Sequence, residues 1–454
     1  MAGAITRDDA SDQTSDYSAI AVPHGARMRR GPLTMTWWAV CSAMFYIVVA
    51  ATLALNFGTR NAVIGMLLSV ICYGVINAVL SRYAIRTGLS VALFSRILFG
   101  NAGAAIATLI FFATAIYYAV FEGSVIAVAI STVFPSISYP VAALIVVAYS
   151  VPLIFGSIQN WLDKFNGVLL PFYVIGLVAA VVLAIATHGY SNAWLSFGPA
   201  GGAPANGWWD CFVYYMGVWI LMMYTFDYAR FGRQEDADYH ARFNFGAPFY
   251  LVAFFINGLV GIFLASTIPM DGALSEVSVV LALLKLMGLS GLAFVWISQT
   301  RINTANFYLA AVNMEAFVTQ VTGRRLGKLV FAFVAGAIVY GLMLANVFHY
   351  ILQALAYQGI FVVAWVGIAL THILSGKYDR LFGAAIEYRA DRVPAFNPCG
   401  LIAWFGATAL GVVLLHAGPT VASFSAPATA LAAAAIYGGL LTLARPAWFV
   451  AEPT

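Results

Sequence analysis

The sequence predicts an all-α integral membrane protein with twelve transmembrane helices. Of its 454 residues, 62% are hydrophobic and 9% are charged, whereas a typical soluble domain carries about a quarter charged residues. Apolar runs of about 20 residues, the length that crosses a bilayer, recur along the chain with short polar segments between them. Because a water-soluble fold cannot bury this much apolar surface, we expect a single transmembrane domain over residues 36–446, embedded in a lipid bilayer.

The predicted helices follow the apolar runs one by one. The first run starts after a mostly polar N-terminal stretch, and no small-residue cleavage pattern follows it, so it is retained as a helix and is not a signal peptide. The predicted spans are residues 36–57, 62–83, 102–133, 139–158, 166–187, 208–229, 245–267, 289–313, 328–347, 350–373, 398–417 and 425–444.

The positions of Lys and Arg predict the orientation, because positive charge is retained on the cytoplasmic side. The sequence has 22 of these residues. With the N-terminus inside, Arg60 and Lys285 fall outside and Arg301 falls within the membrane, which leaves the other 19 in cytoplasmic segments. We therefore expect a multi-pass protein of the cell membrane with both termini in the cytoplasm.

Four segments lie outside the predicted spans. Residues 1–35 are rich in Asp, Ser and Thr without apolar periodicity, which predicts a disordered cytoplasmic tail, and residues 447–454 form a second, short tail. Residues 273–288 carry apolar side chains at helical spacing, which indicates an interfacial helix on the outer face, either a gate or a capping helix. Residues 376–396 mix both charges and receive no predicted function.

The sequence lacks the motifs of soluble enzymes and of ATP-driven pumps. It has no phosphate-binding glycine loop, no zinc-binding histidine pair on a helix and no nucleophile elbow. We therefore predict no enzyme activity, no cofactor, no metal site and no nucleic-acid partner. The four cysteines have no metal-ligand spacing and are predicted to be small core residues; they are Cys41, Cys72, Cys211 and Cys399.

Ionisable side chains inside a membrane are costly and usually functional. Glu122 and Arg301 fall near the middle of predicted helices that carry no opposite charge beside them. They either pair across the bundle or each face a water-filled cavity. Asp227 and Arg230 lie at a cytoplasmic helix end, where a structural ion pair or a helix cap is favoured over a direct role in transport. Asp210 is predicted at the outer interface.

Two local patterns indicate a cavity. Tyr118 precedes Glu122 by one helical turn, so an aromatic ring and a carboxylate share one helix face. This pair suits a flat, N–H-rich heterocycle, by stacking and by hydrogen bonds to the carboxylate; the structural alternative is ordinary packing beside a salt bridge. Seven of the nine residues 298–306 are polar, more than helix packing in lipid requires, which favours a cavity lining.

Three segments carry a resemblance to a known family. They are the loop from Arg86 to Gly100, the run Asp227-Tyr228-Ala229-Arg230-Phe231, and the stretch from Asn303 to Tyr308 that contains Asn306. In these segments the chain resembles the nucleobase:cation symporter-1 family, whose members include cytosine, purine, uracil, hydantoin and allantoin permeases. The resemblance covers the first ten helices and most of the chain.

The resemblance implies a LeuT-type fold, in which five helices are repeated upside down. The repeats would cover residues 36–187 and 208–373, with two extra helices over residues 398–444. The first and sixth helices of such folds are broken near the bilayer midplane. The first helix has no Gly or Pro there, so its break must lie at small residues such as Cys41, Ser42 and Ala43. The sixth offers Gly217.

The resemblance also assigns roles to residues. The family's third helix carries a Trp and, four residues later, an amide that hold the base; the matching residues here are Tyr118 and Glu122, so an acid replaces the amide. Trp219 or a neighbour would supply the opposing aromatic face, and Asn303 matches a base-contacting asparagine. The substrate-binding residues predicted in this way are Tyr118, Glu122, Trp219, Asn303, Cys41 and Phe45.

One departure from the family concerns the coupling ion. Sodium-coupled members place small hydroxyl residues one and two positions before that asparagine, whereas this chain has Arg301 and Ile302. A guanidinium near a sodium site repels the ion by several kcal/mol, roughly 4 at 4 Å and intermediate dielectric. The resemblance therefore predicts sodium-independent transport, with Glu122 as proton carrier or as recognition group.

Together these observations predict a proton-coupled secondary transporter for a nucleobase of the purine or cytosine type. Two alternatives stay open at the level of sequence. The first is a permease for allantoin, a hydantoin, a hydroxymethylpyrimidine or a thiamine-like compound. The second is a membrane-embedded receptor or sensor that binds a base without moving it.

Overall fold

The computed structural model shows a bundle of helices, and within its described residues the predicted all-α class is confirmed. The single β-type contact among them is an isolated bridge between Met28 and Gly232. Side chains are described for all these residues except 276 and 348–356. The described residues are 17, 20–155, 162–269, 276–324, 326–345, 348–378 and 392–450.

Fifteen helical segments of eight or more residues build the described part of the bundle. Segment α9 is a helical run that contains two π-helical stretches, His240–Asn244 and Leu251–Ile256. The segments are α1 Arg30–Trp37, α2 Met44–Phe57, α3 Thr59–Thr87, α4 Val91–Val133, α5 Tyr139–Leu153, α6 Asp163–His188, α7 Gly207–Met216, α8 Ile220–Ala229, α9 Gln234–Thr267, α10 Glu276–Met287, α11 Leu289–Thr322, α12 Lys328–Leu344, α13 Phe348–Ser375, α14 Pro398–His416 and α15 Ser425–Leu443.

Every predicted span overlaps one of these helices. Among the described residues, seven helices are long and apolar enough to cross a membrane, or eight if α1 and α2 form one bent span. Helix α11 is not among them, because its polar run 298–306 interrupts the apolar surface. The number of twelve crossings, the inverted repeat, the domain division and the orientation stay predictions.

Both predicted helix breaks are present. Between α1 and α2 the chain bends by 43°, through a short 3-10 turn at Val40–Ser42 and an extended residue, Ala43. Between α7 and α8 the break falls at Gly217 and ends at Trp219. Small residues at the first break let the backbone leave the helix while other helices pack closely around it, so the prediction for residues 41–43 is confirmed.

The predicted disordered tail is wrong for its second half. Helix α1 starts at Arg30, and the segment before it packs on the bundle: Val22 N donates to Gly88 O at 2.9 Å and Met28 N donates to Phe231 O at 2.6 Å. Residues 1–16, 18 and 19 lie outside the described residues. Composition does not predict this packing, because these two contacts join backbone atoms and leave no pattern in the sequence.

One side chain holds that segment in place. Arg27 is 8% exposed and donates from Nη1 to Gly232 O at 2.9 Å and also to Ile85 O. Burial, and then the positive charge of Arg230, lower the pKa of Arg27 to about 10. The guanidinium therefore remains charged at neutral pH while it satisfies carbonyls at the ends of α3 and α8.

Asp227 and Arg230 join three parts of the chain. The Asp227 carboxylate accepts from Val91 N at 2.7 Å, at the start of α4, and from Asn313 Nδ2 at 3.1 Å. Arg230 donates from Nη1 to Tyr17 O at 2.8 Å. A carboxylate at a helix N-terminus satisfies free N–H groups and complements the helix dipole, so the geometry is that of a cap on a neighbouring helix.

Helix α4 starts eleven residues before its predicted span and bends at Gly100, whose φ is +78°. The bend accommodates the chain that precedes α14: Asn101 N donates to Pro394 O and Ala102 N to Ala395 O, both at 2.9 Å. Part of the segment 376–396 thus packs against α4, while residues 379–391 lie outside the described residues.

Replacing Gly100 by alanine is expected to destabilise the protein. The conformation of Gly100, with φ +78° and ψ 172°, is adopted almost only by glycine and costs other residues about 1–3 kcal/mol. The added Cβ would also lie 2.6 Å from Phe396 Cα. Thermal unfolding of the purified protein measures the effect. The control is Gly439→Ala in α15, where nothing lies within 4 Å of the new Cβ and helix propensity favours alanine by about 1 kcal/mol. Equal melting temperatures for the two variants would contradict the prediction.

Candidate functional site

The break between α1 and α2 leaves backbone groups that helix hydrogen bonds do not satisfy. Side chains from α11 take up several of them. Ser42 Oγ donates to Ser298 O at 3.1 Å, and Ser298 Oγ donates back to Ser42 O. At the start of α2, Met44 N donates to Gln299 Oε1 at 3.0 Å. The polar run of α11 therefore contacts the broken helix directly.

Gln299 links this break to the buried acid. Its Nε2 donates to Oε2 of Glu122, which is 2% exposed. Since the same amide accepts from Met44 N, a hydrogen-bonded chain runs from α2 through α11 to α4. A change at the Glu122 carboxylate is thereby connected to the backbone at the helix break.

Arg301 lies on the other side of the break. It is fully buried, and its Nη2 donates to Trp38 O at 3.0 Å, the carbonyl that also accepts from Cys41 Sγ at 3.1 Å. The guanidinium lies 5.6 Å from the ring centroid of Tyr173, a cation–π distance. Its Nε and Nη1 have no acceptor among the described residues. Arg301 and Glu122 thus each have a hydrogen-bond partner on a different part of the bundle.

A small cavity lies between α2, α4, α8 and α11. The space open to the centre of a water-sized sphere is about 20 Å³, enough for roughly one water molecule. Aromatic rings and polar groups share its lining. The lining includes Phe45, Tyr118, Glu122, Tyr224, Ile302 and Asn306.

Three of the predicted substrate-binding residues line this cavity and three do not. Phe45 and Tyr118 face each other edge to face, with ring centroids 6.5 Å apart, and Glu122 lies one turn beyond Tyr118. Cys41 lies instead at the helix break beside Arg301. Trp219 and Asn303 are the other two that the cavity lining does not include.

Trp219 and Asn303 are nevertheless buried polar side chains close to the cavity. Trp219 is 5% exposed and Asn303 is 1% exposed. The indole N–H of Trp219 and both amide atoms of Asn303 have no hydrogen-bond partner among the described residues. Buried polar groups in folded proteins are normally satisfied, so these three atoms are exceptions.

Asn306 and Tyr224 line the cavity although the sequence predicted no binding role for them. Asn306 Oδ1 accepts from Tyr224 OH at 3.2 Å, and its Nδ2 has no partner within the described part of the chain. Asn306 belongs to the polar run 298–306, and its spacing of four from Ile302 places both on one face. Tyr224 lies in an apolar stretch and no sequence signal marks it. Its side chain lines the cavity, whereas that of Trp219 does not.

A second, larger cavity of about 400 Å³ lies between α5, α6 and α11. Its lining is mostly apolar, and two of its polar groups, Tyr149 OH and Thr300 Oγ1, bond each other at 2.8 Å. It therefore has fewer polar groups to bind a polar ligand than the smaller cavity has.

No protein-family model and no curated protein matches the sequence. The bundle, with its broken first and sixth predicted spans, has the fold of known membrane symporters. Mhp1, a nucleobase-cation-symport-1 family transporter, in a closed conformation with bromovinylhydantoin bound, matches with a TM-score of 0.74 at 15% identity, over 94% of this chain and 95% of its own. The inward-facing conformation of Mhp1 gives 0.69 at 14% identity, over 93% of each chain.

More distant structures share the same fold. A Na+-coupled sialic acid symporter matches with a TM-score of 0.56 at 9% identity, over 98% of this chain and 96% of its own. A manganese transporter from Eremococcus coleocola gives 0.53 at 13% identity, over 93% and 96%. The predicted resemblance is thus confirmed at the level of the fold.

Proposed function

We propose that the protein is a secondary active transporter that imports a nucleobase or related N-heterocycle, of the purine or cytosine type, across the cell membrane. Both termini lie in the cytoplasm, the transport is coupled to protons, and sodium is not required. The observation that carries this proposal is a buried carboxylate, Glu122, in a small cavity lined by aromatic rings, next to a helix break.

The lining suits a flat ring with N–H groups. Tyr118, Phe45 and Tyr224 provide aromatic surface, which favours stacked or edge-to-face contact with a planar ligand. The Glu122 carboxylate accepts N–H donors, and the Asn306 amide N–H donates to a ring nitrogen or carbonyl. This combination favours amino-substituted rings over uracil-like ones. The bromovinylhydantoin bound to Mhp1 is also an N-heterocycle.

The cavity has to widen before it admits such a ring, since its present volume accepts about one water molecule. Ala43 and Val218, which belong to the two helix breaks, line the cavity beside the half-helices α2 and α8. Movement of these half-helices opens the cavity. We infer that the structure represents a state of the transport cycle in which this cavity is too small for the substrate.

The groups around the break favour a proton over sodium as the coupling ion. Unwound carbonyls of a broken helix are the ligands that bind Na+ in related folds, and here Trp38 O accepts from Arg301 while Ser42 O accepts from Ser298. A sodium ion at Trp38 O would meet a guanidinium at close range, at a cost of about 4 kcal/mol for 4 Å and intermediate dielectric. The groups at the helix break therefore do not suit a sodium ion, and Glu122 is the group that takes up a proton.

A thermal-shift screen of the purified protein tests the proposed ligand class. Cytosine and guanine form the amino-substituted set, uracil is the comparison nucleobase, and a hydroxymethylpyrimidine, thiamine, a hydantoin and allantoin form the set of the alternative permease. We expect stabilisation by the amino-substituted set, about 2.7 kcal/mol at a concentration 100 times the dissociation constant. Stabilisation by allantoin or hydantoin alone would favour the alternative permease function, and no shift with any compound would contradict the proposal.

A further inference from the structure

A second carbonyl of the helix break also has a protein donor. Cys41 O accepts from Asn257 Nδ2 at 2.7 Å, three residues along the chain from Trp38 O, which accepts from Arg301. Carbonyls at this spacing on an unwound segment point to one side of the break and are the type of ligand set that binds a small cation. Side chains donate a hydrogen bond to each of these two carbonyls.

Asn257 is positioned by a further contact. It is fully buried at the end of the π-helical stretch Leu251–Ile256, and its Oδ1 accepts from Tyr173 OH at 2.8 Å. That hydrogen bond fixes the amide so that its N–H₂ faces Cys41 O. π-helical turns within helices frequently occur at functional sites.

Tyr173 connects Asn257 to Arg301. Its hydroxyl bonds the amide, and its ring lies beneath the guanidinium at 5.6 Å. Tyr173 is 1% exposed, so neither contact competes with bulk water. Arg301 from α11, Asn257 from α9 and Tyr173 from α6 therefore form one connected unit around the break.

We propose that Arg301 and Asn257 together occupy the position that a coupling cation would take, with Asn257 oriented by Tyr173. Arg301 engages Trp38 O, and Asn257 engages Cys41 O. This inference rests on the sodium independence in the proposed function and extends it: loss of Arg301 alone does not create a sodium site, because Cys41 O remains bonded to Asn257. Asn257 and Tyr173 are positioning residues in this arrangement.

The test compares the wild type with Arg301→Ser, Asn257→Ala and the double variant. Melting temperatures are measured in sodium chloride and in choline chloride at equal ionic strength. We expect no sodium-specific shift for the wild type or for Asn257→Ala, little or none for Arg301→Ser, and a shift in the double variant that grows with sodium concentration. An equal shift in Arg301→Ser alone would show that Asn257 does not block the site.

A second variant covers the possibility that the double variant does not fold. Arg301→Ser with Asn257→Asp keeps the size of residue 257 and an acceptor for Tyr173 OH, removes the donor to Cys41 O, and adds an anionic ligand. It is expected to show the larger sodium-dependent shift. Folded double variants without any sodium response would overturn the inference, because the freed carbonyls would then not bind the ion.

The outcomes separate this inference from the proposed function. A sodium-dependent shift in the wild type contradicts the sodium independence proposed above. An insensitive wild type with insensitive double variants leaves the proposed function intact and overturns only the role of Asn257. Tyr173→Phe in the Arg301→Ser background is expected to give an intermediate shift, since it removes only the hydrogen bond that orients the amide.

Discussion

Glu122→Gln is expected to weaken binding of the heterocycle by about 10- to 150-fold and to remove the pH dependence of uptake. The amide keeps the size of the side chain and its hydrogen bond to Gln299, but it loses the negative charge. Hydrogen bonds to a charged group contribute about 1.5–3 kcal/mol, and each 1.4 kcal/mol is tenfold in affinity. Binding is measured by thermal shift, and uptake is measured between pH 5.5 and 8.

The matched control for this variant is Asp210→Asn, which removes a carboxylate near the start of α7 that does not line the cavity. It is expected to bind and transport as the wild type does. If Glu122→Gln kept wild-type affinity and wild-type pH dependence, Glu122 would be neither the recognition group nor the proton carrier.

Arg301→Met is expected to reduce uptake about tenfold or more, with a small change in melting temperature. The substitution leaves Trp38 O without its charged donor, which costs about 1–3 kcal/mol. It also removes a buried guanidinium whose Nε and Nη1 have no acceptor among the described residues. Removing this charge recovers the free energy spent on its desolvation, which offsets much of the loss of stability. The helix break, however, loses the cation that connects it to α11, so we expect uptake to fall further than stability.

Arg301→Lys is the control that keeps the positive charge, although a lysine does not reproduce the planar guanidinium over Tyr173. Its uptake is expected to lie between the wild type and Arg301→Met. Wild-type uptake by Arg301→Met would show that the charge at Trp38 O has no part in transport.

The sequence predicts the apolar architecture well, because a membrane imposes a length and composition on each span. It also predicts the helix breaks, through small residues at 41–43 and Gly217, since the resemblance says where breaks occur. It places Phe45, Tyr118 and Glu122 together, because Tyr118 and Glu122 share a face of one helix.

Contacts between distant segments are what the sequence does not reveal. Residues 20–35 read as a disordered tail, although Arg27 and the backbone of Met28 bind the ends of α3 and α8. For Tyr224 the sequence predicts only a place in an apolar helix, and its position in the cavity lining follows from the tertiary fold. The same holds for Asn257, a lone polar residue whose partners Cys41 and Tyr173 lie far away in the chain.

The most direct test of the central claim is uptake into proteoliposomes. The ligand is the compound that gives the largest thermal shift, the gradient is acidic outside, and the external salt is either sodium chloride or choline chloride. We predict accumulation above the external concentration, equal in the two salts and abolished by a protonophore. Strong stimulation by sodium, or binding without accumulation as a receptor would show, would contradict the proposed function.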